Sequence, residues 1–220
     1  MSEDTHNWDP LSVDETAELL SELKVPWCIA GGWAIDLFVG HETRPHDDTD
    51  VLIRRDDQLE VQRYLWNWDL HKTQQPGLKP WPMGEFLNRP VDDIWCRRTP
   101  ESPWSFELML LDTEADDWVF KRDPSIRGPL HRLIRRTPSG VAYLAPEIQL
   151  LYKARPEILH KDQADFDAAL PLMTQAACKW LLQCLEKRFT EGHDWADSLR
   201  RRLASKAAHT SLERDRAENE

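Results

Sequence analysis

The sequence lacks several features that define common classes of protein. It has no run of about 18 apolar residues, which excludes a transmembrane helix. Its opening residues, MSEDTHNWDP, are acidic and polar and are unlike a secretory signal. Its four cysteines form neither a CxxC pair nor a metal-ligand spacing, which is typical of free thiols in a reducing compartment. We therefore expect a cytoplasmic protein that does not bind a membrane.

The chain also has fewer positively charged than negatively charged side chains. The chain has 28 Lys and Arg against 39 Asp and Glu, for a net charge of −11. This balance argues against nucleic acid as an electrostatic partner. An acidic cleft would concentrate a cationic small molecule, although an acidic surface that serves solubility is the simpler explanation of the charge.

The 220 residues suit one domain, or one domain with a helical appendage. The hydrophobic patterns predict an α/β (α+β) region over residues 1–145. A C-terminal helical region is predicted over residues 146–205, followed by a disordered tail over residues 206–220. Within the first region, residues 1–11 are expected to be frayed. Gln74–Arg89, rich in Pro and Gly, is expected to be a loop near a cleft.

The most informative stretch runs from Ala30 to Ile53. Gly31 and Gly32 separate a predicted buried strand, Trp27–Ala30, from a predicted apolar helix. Glycines let backbone N–H groups approach an anion closely, and the positive end of the helix dipole adds to the attraction. The turn is therefore a candidate phosphate site.

Two carboxylates follow at a spacing that suits a metal ion. In a strand, residues i and i+2 point to the same face, so Asp48 and Asp50 can aim at one point. Mg²⁺ is a hard cation that prefers one or two carboxylates together with substrate phosphate oxygens. A DDTD run alone is typical of a solvated turn, but the preceding Gly-Gly helix and the apolar strand after Asp50 favour the metal site. Asp47 points to the other face and is expected to be exposed.

A third carboxylate from another strand would complete a catalytic metal site of this kind. Glu107 is the best candidate, because it is flanked by apolar residues in the predicted strand Ser105–Leu111, where a charge is costly unless it is paired or bound to metal. Asp112 is the alternative at the end of that strand, and Asp92 or Asp93 is a further one. A turn residue is the ordinary interpretation of these three.

GGWAIDLFVG and TRPHDDTD, residues 31–40 and 43–50, resemble the signature of the nucleotidyltransferase superfamily. Within it they resemble the aminoglycoside 2''-adenylyltransferases and the lincosamide nucleotidyltransferases, and a weaker resemblance extends to about Leu185. The resemblance implies a nucleotidyltransferase-type fold, which is a mixed β-sheet flanked by helices. It also implies an enzyme that uses Mg²⁺ and a nucleoside triphosphate, ATP. It implies transfer of AMP to a hydroxyl of a small molecule, such as an aminoglycoside or a lincosamide-like compound, with release of pyrophosphate.

The resemblance also implies roles for individual residues. Glu107 takes the place of the third carboxylate, as a metal ligand, a general base or both. Asp36 is expected to hold the following loop, with Arg44 as its ion-pair partner. The implied catalytic and metal-binding residues are Asp48, Asp50 and Glu107, and those implied to bind the nucleotide are Gly31, Gly32, Arg44, His46 and Lys153.

Several of these assignments remain open at the level of sequence. His46 orients a carboxylate, contacts phosphate or does neither, and Lys153 binds phosphate or is a solvated helical lysine. Two other functions compete with the main one: a protein-modifying nucleotidyltransferase resembling an antitoxin, and a catalytically silent nucleotide-binding protein. The helical region argues against the first, and the complete set of carboxylates argues against the second. We expect Gln74–Arg89 and the helical region to select the acceptor.

Overall fold

A computed structural model describes residues 5–217 of the chain, with side chains described as far as Ser205. The chain forms two compact units, Met1–Ala145 and Pro146–Glu220. Across the described residues, none of the helices has the length and apolar character needed to cross a membrane.

The first unit begins with a helix that the sequence specifies clearly. The N–H of Glu15 donates to Oγ of Ser12 (3.2 Å), and the N–H of Ser12 donates to the carboxylate of Glu15 (2.8 Å). This reciprocal capping box satisfies two backbone donors that a helix N-terminus otherwise leaves unpaired. The elements of the unit are α1 Val13–Leu19, β1 Trp27–Ile29, α2 Gly31–Val39, β2 Asp50–Arg54, α3 Gln58–Tyr64, β3 Asp69–Thr73, β4 Leu78–Pro80, β5 Asp93–Arg97, β6 Phe106–Glu114, β7 Asp117–Val119, β8 Arg127–Pro129, β9 Ile134–Arg136 and β10 Ala142–Leu144.

These strands form one mixed sheet in the order β4-β3-β5-β6-β2-β1-β10-β9, and β7 extends it by pairing with β6 and β8. β2 runs parallel to β6, and β1 runs parallel to β10, whereas the other pairs are antiparallel. α2 packs against β2 and β10. The predicted mixed sheet flanked by helices is therefore confirmed.

The centre of the sheet is the hydrophobic core of this unit. Val51, Leu52 and Ile53 of β2 are all buried, as are Leu108 and Leu110 of β6. Strands buried on both faces appear in the sequence as continuous apolar runs, which is the pattern of β2. The start of β2, where polar residues replace this run, lies at one edge of the core.

The segment before α1 is ordered, contrary to the expected fraying of residues 1–11. The N–H of Asp9 donates to the carbonyl of Trp104 (3.0 Å), and the N–H of Leu11 donates to that of Ser105 (2.8 Å). The N–H of Trp104 donates in return to the carbonyl of Asn7 (2.8 Å). The segment is thus held by long-range backbone pairing that local sequence does not signal. Residues 1–4 lie outside the described residues.

The expected loop Gln74–Arg89 is also partly regular. It contains β4, which pairs with β3 through a tight turn closed by two hydrogen bonds between Gln74 and Gly77 (2.8 and 3.0 Å). The remainder follows β4 as an irregular segment.

The second unit is helical, as predicted for the region after residue 145. Pro146 occupies the first position of its first helix, where the missing N–H costs nothing. The helices are α4 Pro146–Lys153, α5 His160–Ala169, α6 Gln175–Arg188 and α7 Asp194–Ala217. The disordered tail over residues 206–220 stays a prediction. The backbone is assigned to α7 as far as Ala217, and the side chains after Ser205 lie outside the described residues.

Candidate active site

The Gly-Gly turn lies directly against the side chains that follow it in the motif. Gly31 has a φ of +64°, and a methyl group at its Cα would overlap Oδ2 of Asp50. A methyl group at Gly32 would overlap the ring of His46 and the guanidinium of Arg44. Only glycine permits these approaches, because it has no Cβ and tolerates positive φ. The structure therefore brings together four of the residues implied to bind nucleotide and one of the implied metal ligands.

Asp36 fastens the loop that carries His46 to α2. Its carboxylate accepts hydrogen bonds from the N–H and the hydroxyl of Thr43 (3.2 and 2.5 Å), and from Nε2 of His46 (2.5 Å). The ring of His46 also packs against that of Trp33, with a centroid separation of 4.3 Å. His46 orients a carboxylate, as one of the sequence alternatives proposed.

The expected ion pair between Asp36 and Arg44 stays a prediction. The ring of His46 lies within ion-pair distance of Asp36, and the guanidinium of Arg44 donates to the carbonyl of Pro45 (3.0 Å). Arg44 remains over Gly32, at the phosphate end of the motif.

The start of β2 is anchored on both sides. The N–H of Ala30, at the end of β1, donates to the carbonyl of Asp50 (2.8 Å). The N–H of Glu107 donates to the carbonyl of Thr49 (2.9 Å), and Thr49 is buried with its hydroxyl bonded to the carbonyl of Leu11 (2.6 Å). Asp48 and Asp50 flank this buried threonine and are both half-buried, whereas Asp47 is exposed as predicted.

Asp50 and Glu107 are direct neighbours across the parallel strands β2 and β6. Residues in register on adjacent strands point to the same face of a sheet, and adjacent strands are about 4.8 Å apart. The pairing therefore brings the carboxylate chosen from the sequence next to the Asp-x-Asp pair. We refer to Asp48, Asp50 and Glu107 below as the carboxylate triplet.

The electrostatics of Glu107 follow from this placement. Burial raises the pKa of its carboxyl well above the ordinary value, and the nearby carboxylates of Asp50, Asp93 and Asp48 raise it further. Lys121 lowers this pKa and so offsets part of the effect. A divalent cation would favour the ionised form of each of these carboxylates. An all-oxygen, negatively charged donor set next to a phosphate-compatible turn fits Mg²⁺.

Within the described range, no group of three or more His, Cys, Asp or Glu side chains is gathered around one point as a preformed metal site. Mg²⁺ sites in enzymes are typically built from one or two carboxylates and the phosphate oxygens of the substrate. The neighbouring pair Asp50 and Glu107 corresponds to such a protein contribution.

The alternative carboxylates have other partners. Asp112 accepts hydrogen bonds from Arg55 (2.5 Å) and Arg89 (2.6 Å), and Asp92 pairs with Arg55 and Lys121. Burial alone would raise the pKa of Asp112, but the bonds from the two arginines outweigh it, and the pKa lies below its ordinary value. Asp112 lies inside β6 rather than at its end, so its interpretation as a turn residue is wrong.

Asp93 is the one alternative that stays close to the triplet. It is the first residue of β5, two residues before Trp95, which pairs with Glu107. Burial raises its pKa, Lys121 lowers it, and Asp92 adds to the rise. In the sequence Asp93 was a further alternative to Glu107, with a turn residue as its ordinary interpretation, because the sequence does not show that β5 lies beside β6 in this register.

Lys153 belongs to the second unit. Its ammonium lies 2.8 Å from Asp165 and 3.4 Å from Asp162, and its side chain is only 10% exposed. The alternative of a solvated lysine is therefore wrong. Its phosphate contact stays a prediction.

Comparison with known proteins agrees with the motif and the fold. Residues 12–75 match the family model of the aminoglycoside-2''-adenylyltransferases. None of the curated proteins gives a significant sequence match.

Two solved structures have a similar fold. The lincomycin-bound lincosamide antibiotic adenylyltransferase LnuA has 14% identity and a TM-score of 0.53, and the match covers 76% of this chain and 99% of LnuA. The solution structure of the antibiotic-resistance factor ANT(2'')-Ia has 14% identity and a TM-score of 0.51, with 91% of this chain and 95% of the other covered. The chain is therefore similar in sequence to the aminoglycoside-2''-adenylyltransferases over residues 12–75, and it is similar in fold to these two solved structures.

Proposed function

We propose that this protein is a Mg²⁺-dependent nucleotidyltransferase that moves AMP from ATP to a hydroxyl of a small antibiotic, of the aminoglycoside or lincosamide type. The observation that carries the proposal is the pairing of Asp50 with Glu107 across β2 and β6, directly beside Gly31. The match to the aminoglycoside-2''-adenylyltransferase model and the likeness to LnuA support the acceptor class.

In this proposal the residues of the first unit have three roles: binding the triphosphate, positioning the loop and holding the metal ion. The backbone N–H groups of Gly31 and Gly32, with Arg44, bind the triphosphate, and Asp36 keeps the loop in place through His46. The carboxylate triplet would hold Mg²⁺, which supplies neutralisation of charge on the α-phosphate and on the leaving pyrophosphate when bound.

Glu107 also serves the acceptor in this proposal. The acceptor oxygen attacks the α-phosphorus, and the bond from that phosphorus to the pyrophosphate oxygen breaks. The hydroxyl proton passes to the carboxylate of Glu107, which acts as the general base. The products are the adenylylated acceptor and pyrophosphate.

The test is a pyrophosphate-release assay with each nucleoside triphosphate and Mg²⁺, across a panel of hydroxylated antibiotics that includes lincomycin and tobramycin. We expect release that depends on ATP, on Mg²⁺ and on an acceptor. Asp48→Asn is expected to lower kcat by roughly 10²-fold or more, since a metal ligand is lost. Full activity of that variant would refute the metal assignment, and no release with any antibiotic would refute the acceptor class.

A further inference from the structure

A cavity of ≈ 530 Å³ lies in the first unit at the hairpin that joins β3 to β4. Its volume is in the range of about 300–1,000 Å³ that is common for small-molecule sites. It has no role in the contacts described above. Its lining includes Thr5, Thr73, Gln74, Leu78, Val91 and Trp95.

The register of the sheet places Trp95 next to the reacting groups. Trp95 of β5 is the direct partner of Glu107 on β6, and Glu107 is the partner of Asp50 on β2. Partners in register point to the same face, so the three side chains share one face of the sheet, at about 4.8 Å from strand to strand. Trp95 is therefore the residue of the cavity lining that lies on the strand next to Glu107.

The same face continues into the wall of the cavity. His71 of β3 is the partner of Trp95, and Thr73 follows two residues later on the same side. Thr73 is in turn the partner of Leu78 on β4. The cavity thus begins at Trp95, the neighbour of Glu107, and extends across β3 to β4, a distance of about two strands, which suits one or two sugar-sized rings.

Two other tryptophans hold the indole of Trp95 in place. The ring of Trp8 packs edge-on against it at 4.8 Å, and that of Trp104 does so at 5.5 Å, with interplanar angles of 69° and 73°. Trp104 is itself covered by the guanidinium of Arg97 at 4.3 Å. A fixed aromatic surface binds the apolar face of a ring without loss of side-chain entropy.

The chemistry of the lining indicates the class of ligand. The side chains are hydroxyls of Thr5 and Thr73, amides of Gln74 and Gln75, apolar groups and one indole, and the described lining contains no charged side chain. Hydroxyls and amides both donate and accept hydrogen bonds, as the hydroxyl groups of a sugar require. A polycation would find no counter-charge on these walls.

We propose that this cavity binds the acceptor, and that the acceptor is a hydroxylated ring compound with few charges, closer to a lincosamide than to an aminoglycoside. This inference rests on the proposed function for the identity of the neighbouring reactive groups. It adds Trp95, Thr73 and Leu78 as residues that set acceptor specificity.

The test is equilibrium binding of lincomycin and of tobramycin by calorimetry, in the presence of Mg²⁺ and a non-hydrolysable ATP analogue. We expect lincomycin to bind more tightly than tobramycin. Trp95→Ala is expected to weaken lincomycin binding at least 10-fold, Trp95→Phe to keep most of it because a ring remains, and Leu78→Arg to weaken it by filling the cavity. Trp66→Leu, at an exposed tryptophan elsewhere, is the matched control and should change nothing.

Affinity for the ATP analogue, measured alone, separates the two proposals. It should be unchanged in the Trp95 and Leu78 variants and reduced in Asp50→Asn. Unchanged lincomycin affinity in a folded Trp95→Ala together with Leu78→Arg would overturn the cavity assignment, as would tighter binding of tobramycin or no lincomycin binding by the wild type. Failure of the wild type to bind the ATP analogue would overturn the proposed function, while the lincomycin results still decide the cavity.

Discussion

Asp50 and Glu107 lie opposite each other on parallel strands, with the backbone of Gly31 packed against the carboxylate of Asp50. The two carboxylates are far apart in sequence and belong to the two central strands of the sheet. Burial and the repulsion from Asp50 both raise the pKa of Glu107, and a bound cation would relieve the repulsion. The close pair of carboxylates lowers the stability of the folded protein, and the same two groups are available to bind a metal ion or to accept a proton.

Replacement of Glu107 tests how much this carboxylate contributes to transfer and how much it lowers the stability of the folded protein. Glu107→Gln is expected to lower transfer by roughly 10²–10⁴-fold, because a base or metal ligand is lost. The same change is expected to stabilise the protein in EDTA by roughly 0.5–2 kcal/mol near pH 8. Because the folded-state pKa is raised, the wild type loses stability as pH rises above about 4.3, the unfolded value, so the gain should shrink toward pH 4. Urea unfolding at both pH values checks this, and a destabilised Glu107→Gln at pH 8 would contradict it.

Gly31, in the Gly-Gly turn, can be compared with Gly40, which follows α2 and also has a positive φ. Gly31→Ala should displace Asp50, whereas Gly40→Ala meets no atom within 4 Å. Both variants carry the backbone cost of a non-glycine residue at positive φ, about 1 kcal/mol or more. Only Gly31→Ala is expected to weaken nucleotide binding and to lower kcat/KM, by roughly 10²-fold. Calorimetric titration with ATP and Mg²⁺ checks the difference, and equal losses in the two variants would argue against a special role for Gly31.

The ion pairs of Asp112 predict how the protein responds to acid. Arg55 and Arg89 keep the pKa of Asp112 below its ordinary value, so its stabilisation is present above about pH 3.9 and is lost as pH falls below it. Asp112→Asn is expected to cost about 2 kcal/mol near pH 7. The difference from the wild type should narrow near pH 3. Denaturant unfolding measures it, with the exposed Asp116→Asn as control; a difference independent of pH would count against the ion pairs.

Lys153 provides a test in the second unit. Lys153→Met leaves the buried carboxylates of Asp162 and Asp165 without the ammonium that bridges them, and should cost about 3–5 kcal/mol. Adding Asp165→Asn should restore part of this loss, while Lys161→Met at an exposed position should cost little. Thermal unfolding measures these effects. The affinity for ATP, measured on the restabilised double variant, then tests the proposed phosphate contact: an unchanged affinity would remove Lys153 from the nucleotide site.

Local patterns predicted much of the first unit. The capping box of Ser12 and Glu15, the Gly-Gly turn and the strand after Asp50 each depend on neighbours within a few residues, and each is present in the structure. The sequence was less informative where distant segments meet. The pairing of Leu11 with Ser105 orders a segment expected to fray, and β4 forms only because β3 lies beside it.

The same division applies to the candidate site. His46 lies against Asp36, ten residues earlier in the chain, and spacing alone does not reveal which side chain of the loop arrives there. Lys153 was ambiguous in sequence because its two carboxylate partners are on another helix. Trp95 carried no motif at all, and only its register with Glu107 connects it to the site.

The sequence by itself determined the glycine turn, the Asp-x-Asp spacing and the choice of Glu107, because these follow from backbone geometry, side-chain alternation and the cost of a charge in an apolar strand. Only the tertiary structure decided that Glu107 stands beside Asp50 and that Trp95, which lines a cavity, lies next to Glu107. Strand order and register are set by packing and hydrogen bonds among segments far apart in the chain, and one residue of slip would turn each of these side chains to the other face.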